Sequence, residues 1–180
     1  MPDLHGWITQ QIDKTQRVAE AARGTGEGRW HHDTSYPNGY VYDEGVQPVV
    51  YDESTPSPEE AAHIALNDPA SVLRRCAADR KILARHCLDP DVHFEPACKG
   101  CRTYGDCDLS WTDNLNECPE LLDLGYAHGL TEEILATLDQ PVPPPMPERP
   151  EPRAYRIGPS ARPASTVPPA LRGPNWKATP

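Results

Sequence analysis

Cys98-Lys99-Gly100-Cys101 is the stretch of this chain whose residue types and spacing most directly suggest chemistry. Two thiolates spaced C-x2-C can bind one tetrahedral ion, with the small Gly100 permitting the tight turn between them. More candidate ligands flank the pair: His86, Cys87 and His93 before it, Cys107 and Cys118 after it. With Cys76, all six cysteines fall within 43 residues. In a secreted chain that even count would suggest disulfides; in a reducing cytosol it signals metal. One structural Zn2+ is the expected cofactor, with an iron–sulfur cluster or unligated redox thiols as alternatives. The expected ligands are His86, Cys98, Cys101 and Cys118, since His86 ends a long helix and Cys118 precedes another. Cys107 competes with Cys118 as the alternative ligand through the spacing C-x2-C-x5-C. Cys76 lies on an apolar stripe and reads as a small buried hydrophobe, and Cys87 as a spare thiol.

Two histidine arrangements offer weaker chemistry. His63 could pair with Asp68 in a catalytic site, or simply pack at a helix junction. His31 and His32 are adjacent on a predicted strand, so they point to opposite faces and cannot easily share one metal. No phosphate-cradling glycine loop, nucleophile elbow or H-E-x-x-H occurs.

The elements that must position these groups follow from periodicity and caps. Residues 3–22 carry Leu4, Trp7, Ile8, Ile12, Val18 and Ala19 at helical spacing behind the N-cap candidate Asp3, with Gly24, Gly26 and Gly28 ending the helix. Residues 29–52 read as a hairpin or three-stranded meander. Its best cores are Tyr40-Val41-Tyr42 and Val49-Val50-Tyr51, and its turns Pro37-Asn38-Gly39 and Asp43-Glu44-Gly45. So small a sheet must lean on a helix. Ser57-Pro58-Glu59-Glu60 starts a helix that stops at Asn67. Asp68-Pro69 starts another, running to about His86 with an apolar stripe of Val72, Leu73, Cys76, Ala77, Leu83 and Ala84. Residues 87–118 form a polar loop too long for an unanchored connection. Pro119 and Thr131 begin two short closing helices. The predicted fold is mainly α with a small antiparallel β-sheet (α+β) and a zinc-stapled loop.

From Pro141 onward, 13 prolines in 40 residues predict an extended, disordered tail, giving a domain over 1–140 and a tail over 141–180. The chain's net charge is −10, yet the tail carries six Lys/Arg against Glu148 and Glu151, leaving residues 1–140 at −14. A body that acidic repels a phosphate backbone, so generic nucleic-acid binding is disfavoured and a protein partner with a basic patch is favoured. No apolar run approaches a membrane span, and the N-terminus has no export signal, so a cytoplasmic protein without membrane attachment is expected.

Two resemblances bear on these residues. The spacing C-x2-C-x5-C resembles WhiB-like iron–sulfur regulators, with Cys76 or Cys87 as the distal ligand. That family's Gly-Val-Trp-Gly-Gly turn and basic C-terminal run are both missing. Residues His63-Ile64-Ala65-Leu66-Asn67-Asp68-Pro69 through Arg74, then Lys81-Ile82-Leu83-Ala84-Arg85-His86, the C-x2-C, Cys118-Pro119-Glu120-Leu121 and Tyr126-Ala127 resemble the domain-of-unknown-function 6221 family of actinobacteria and their phages. That resemblance covers about residues 3–130. It implies an N-terminal helix, a strand region around Trp30, a helix pair, the C-x2-C and a terminal helix, and it carries no activity. The extra Cys76, Cys87 and Cys107 and the long tail depart from it and leave the fourth ligand open. The expected function is a non-catalytic, zinc-stabilised protein-interaction module, phage-encoded and acting on a host protein. A metal-dependent transcription or nucleic-acid regulator and an enzyme using His63 are the alternatives.

Overall fold

Asp3 opens the first helix by accepting the Gly6 N–H at 2.8 Å, and α1 then runs Leu4–Arg23 until Gly24, at φ 61°, turns the chain out. The computed structural model describes residues 1–35, 39–50, 56–105 and 109–147. Met1–Pro145 forms one compact unit and Met146–Pro180 a second, of which only Met146 and Pro147 are described.

Strands β1 (Trp30–Asp33) and β2 (Tyr40–Asp43) pair antiparallel, with Trp30 opposite Asp43 and Asp33 opposite Tyr40. The hairpin rests on α2 (Pro58–Leu66), as so small a sheet requires. The expected third strand at Val49-Val50-Tyr51 does not form over its described residues. Only an isolated bridge between Tyr42 and Pro48 and the Val49 N–H to Val41 O bond at 2.9 Å extend the sheet. The reason is local. Asp43 Oδ1 takes the N–H groups of Gly45 and Gln47 at 2.9 and 2.8 Å, winding the chain into a turn, and Pro48 has no N–H to continue a ladder. Tyr51 and most of the expected Pro37-Asn38-Gly39 turn lie outside the described residues.

Ser57 and Glu60 form a reciprocal capping box for α2, with Pro58 at the first helical position. Asp68 caps α3 (Pro69–Arg85) more simply, accepting the Ser71 N–H at 2.6 Å ahead of Pro69 at the first helical position. Two further helices follow, α4 (Pro119–Ala127) and the single turn α5 (Glu132–Leu135). The fold is thus mainly helical with a small two-stranded antiparallel sheet.

The core lies where α1 packs on α3 and α4. Leu4, Ile8 and Ile12 form one fully buried stripe on α1, meeting Cys76 and Leu83 of α3 and Leu121 and Leu124 of α4. Buried Asn116 closes this arrangement. Its Oδ1 accepts the Leu4 N–H at 2.9 Å, and its Nδ2 donates to the Asp139 carbonyl at 3.0 Å. Beyond α5 the chain stays with the unit to Pro145: Pro141 is buried, and the Pro144 carbonyl lies 3.3 Å from His93 Nδ1. No helix among the described residues is long and apolar enough to cross a membrane.

Candidate metal centre

His86 is the C-cap of α3, its ring buried where the helix stops. Cys118 is the N-cap of α4, yet its side chain makes no capping bond, so the sulfur is free to face the loop. Cys98 and Cys101 bracket a 3-10 turn, Lys99–Cys101, whose Cys101 N–H bonds back to the Cys98 carbonyl at 3.3 Å.

The intervening loop is held by two short pairings. Residues 87–89 run against 97–99, through Asp89 N–H to Ala97 O and Lys99 N–H to Cys87 O, both 2.9 Å. Residues 102–104 run against 109–111, through Tyr104 N–H to Leu109 O and Trp111 N–H to Arg102 O, both 2.8 Å. The Cys98 N–H to Thr112 O bond at 3.0 Å joins the two pairings.

These supports bring four donors together. His86 Nδ1 lies 3.6, 3.9 and 3.4 Å from the sulfurs of Cys98, Cys101 and Cys118. Cys118 Sγ lies 3.6 and 3.5 Å from those of Cys98 and Cys101, and all four atoms fall within 4.8 Å of one another. A disulfide would need about 2.05 Å, and the five described cysteines are free thiols. Bonds of about 2.3 Å to sulfur and 2.0–2.1 Å to nitrogen make a tetrahedron with edges of about 3.8 Å (S···S) and 3.6 Å (S···N). The cluster has the size of one ion's coordination shell, and His86 with three cysteines can bind a metal ion.

Gly100 makes this geometry possible, though not through turn flexibility. A Cβ on it would come 2.6 Å from His86 Nδ1 and 2.7 Å from the Arg85 carbonyl, so only glycine lets the imidazole sit over the turn. The thiols are unequal. The hydrogen bond shared with Cys118 holds Cys98 down at about 5, and the same bond, with burial, pushes Cys118 up. Burial also raises Cys101, opposed by a hydrogen bond from buried Thr112.

Glu120, which the sequence reading did not single out as a ligand or neighbour of the site, stands beside this set. Its Oε2 lies 3.7 Å from both Cys101 and Cys118 Sγ and 3.9 Å from His86 Nδ1. Its own backbone N–H at the start of α4, then the nearby His86, hold its carboxyl below the usual range. The available signal was its place in the first turn after Cys118-Pro119.

The other candidates go elsewhere. Cys107 lies outside the described residues. Cys76 is buried in the core with its thiol 4.0 Å from the Ile12 carbonyl, and Cys87 bonds weakly to the Ala84 carbonyl at 3.7 Å. His63 is exposed, its Nε2 3.5 Å from Asn67 Nδ2. Asp68 is buried, and its carboxylate takes the N–H groups of Ser71 and Trp30, so the two do not form a pair. A His–Asp contact that sequence reading missed joins His128 Nε2 to Asp79 Oδ2 at 3.0 Å between α4 and α3.

No curated protein and no solved structure matches this chain. A family profile does, over residues 1–127, a span that runs from the start of α1 to the end of α4 and includes all four clustered donors. The chain belongs to that family, a family of unknown function (DUF6221).

Proposed function

We propose that the chain is a non-catalytic protein-interaction module whose 87–118 loop is fixed by one structural zinc ion on His86, Cys98, Cys101 and Cys118. The observation that carries this reading is the edge length of the donor set, 3.4 to 3.9 Å between His86 Nδ1 and the three sulfurs, which suits one tetrahedral ion. Three thiolates and an imidazole favour zinc. A catalytic zinc keeps one position for water or substrate, whereas four protein donors fill this one.

An iron–sulfur cluster spreads its thiolates over separate irons, further apart than donors that all lie within 4.8 Å. That weighs against the WhiB-like regulator. Five free thiols among the described residues fit a reducing compartment, the cytoplasm. The −14 charge of residues 1–140 favours a basic protein surface as partner and works against nucleic acid. The enzyme reading needs His63 paired with Asp68, whereas His63 is exposed and the Asp68 carboxylate is bonded to Ser71 and Trp30.

Elemental analysis of protein purified without added metal tests this directly. One zinc per chain is expected, lost in Cys98→Ser and Cys118→Ser. Cys76→Ala should retain it and cost only about 1–2 kcal/mol, the range for a small buried group. Folded protein with no zinc, or equal metal loss from Cys76→Ala, would overturn the assignment.

A further inference from the structure

Beside the metal centre lies a small open pocket of about 190 Å³ lined by Gly100, Cys101, Arg102, Trp111, Pro119 and Glu120. Drug-sized ligands occupy pockets from about 300 Å³ upward, so this one suits a single long side chain.

Its wall is aromatic. Trp111 is 62% exposed and stacks on Tyr104, 61% exposed, with ring centroids 5.2 Å apart at 19°. Both rings ride on the 102–104/109–111 pairing, so the platform is preorganised. Among the described residues neither the indole N–H nor the tyrosine hydroxyl has a hydrogen-bond partner. Adjacent Leu109 is 62% exposed, extending an apolar surface of a kind that marks contact sites.

Its lining holds one carboxylate, Glu120, and one cation, the exposed Arg102. Glu120, with its side chain 54% exposed, offers a carboxylate 3.7 Å from Cys101 Sγ. Three thiolates on a divalent ion leave a further net charge of about −1 next to it. With the metal-bound thiolates counted, the surroundings stay net acidic despite Arg102, which favours a cation over a phosphate, and a flat cation satisfies Trp111 and Glu120 together. A guanidinium can stack on an indole while its N–H fork grips a carboxylate; an ammonium does the second without the planar fit.

We propose that this pocket recognises an arginine side chain of a partner protein, its guanidinium lying on Trp111 and pairing with Glu120. It rests on the interaction-module reading and names the partner's chemistry. Exposed Tyr104 and Leu109 beside the pocket offer an apolar face to the residues that flank this arginine. Proline rings dock well on exposed aromatic faces and lose little entropy in doing so.

The test uses a short fluorescein-labelled proline-rich peptide with one central arginine, titrated into the metal-loaded full chain by fluorescence anisotropy. A citrulline version removes the charge and keeps the shape. The arginine peptide should bind, and citrulline should weaken it about tenfold. Trp111→Ala and Glu120→Gln should each weaken it at least about fivefold, with metal content and melting temperature unchanged. Trp111→Ala decides alone if Glu120→Gln loses metal. No binding, equal binding of the citrulline peptide, or a metal-replete Trp111→Ala that binds like wild type would overturn the proposal. Tighter, Trp111-dependent binding of oligo(dT) would overturn it in favour of a nucleic-acid platform. Wild-type protein lacking metal would sink the zinc reading; peptide binding that still required Trp111 and Glu120 would uphold the pocket.

Discussion

At Gly100 the difference between sequence pattern and structural cause is sharpest. The C-x2-C pair invites the idea that glycine eases the turn, but the nearest atoms to a would-be Cβ belong to His86 and Arg85, at 2.6 and 2.7 Å. The glycine serves the imidazole's approach. Gly100→Ala should therefore push the ring off the sulfurs while leaving the turn itself possible. A loss of about 10–100-fold in zinc affinity is expected, the usual effect of disturbing a ligand's support, read by competition with a chromophoric chelator. Unchanged affinity would mean that the ring or Arg85 shifts at no cost. Cys98 and Cys101 are legible from spacing alone, and His86 and Cys118 because helix signals place them at helix ends. Glu120 was not, because a first-turn glutamate is so common that only its 3.7 Å distance to two sulfurs distinguishes it.

At the scale of elements, caps were the readable part: Asp3, Ser57, Asp68 and Thr131 each accept an N–H of the helix they open. Asp68 does more, because its other oxygen holds the Trp30 N–H at 3.3 Å and so joins α3 to the hairpin. Burial pushes its carboxyl up, but the bonds from Ser71 and Trp30 outweigh burial and leave it below the ordinary range. A depressed carboxyl stabilises the fold at pH above its unfolded value and stops doing so as pH falls through the folded one. Asp68→Ala should thus cost about 1 kcal/mol at pH 7, and the gap to wild type should narrow by pH 3 in parallel denaturant titrations. A gap that widens on acidification would mean that Asp68 acts otherwise. Of the hairpin and the three-stranded meander that the sequence allows, the hairpin forms, although Val49 and Val50 look β-forming in isolation. The turn that Asp43 ties and the missing N–H of Pro48 are what stop the ladder.

Across the whole molecule, the packing of α1 on α3 and α4 follows from stripes visible in the sequence, whereas the closure by Asn116 could not be read there. Its partners, Leu4 and Asp139, are 112 and 23 residues away, and no local pattern announces such a contact. The contacts of Pro141 and Pro144 place the useful truncation point after Pro147 instead of Gln140. Removing residues 148–180 should leave the melting temperature within about 2 °C, since so proline-rich a segment has little to bury. Stopping at Gln140 should lower it further. The reverse order in a thermal melt would show that residues 148–180 stabilise the fold. The central claim is that His86, Cys98, Cys101 and Cys118 hold one zinc ion, and X-ray absorption at the zinc edge tests it most directly. It should show about three sulfurs at about 2.3 Å and one nitrogen at about 2.0 Å, with no second metal nearby. A shell of oxygens and nitrogens alone, or iron with metal–metal scattering, would contradict it.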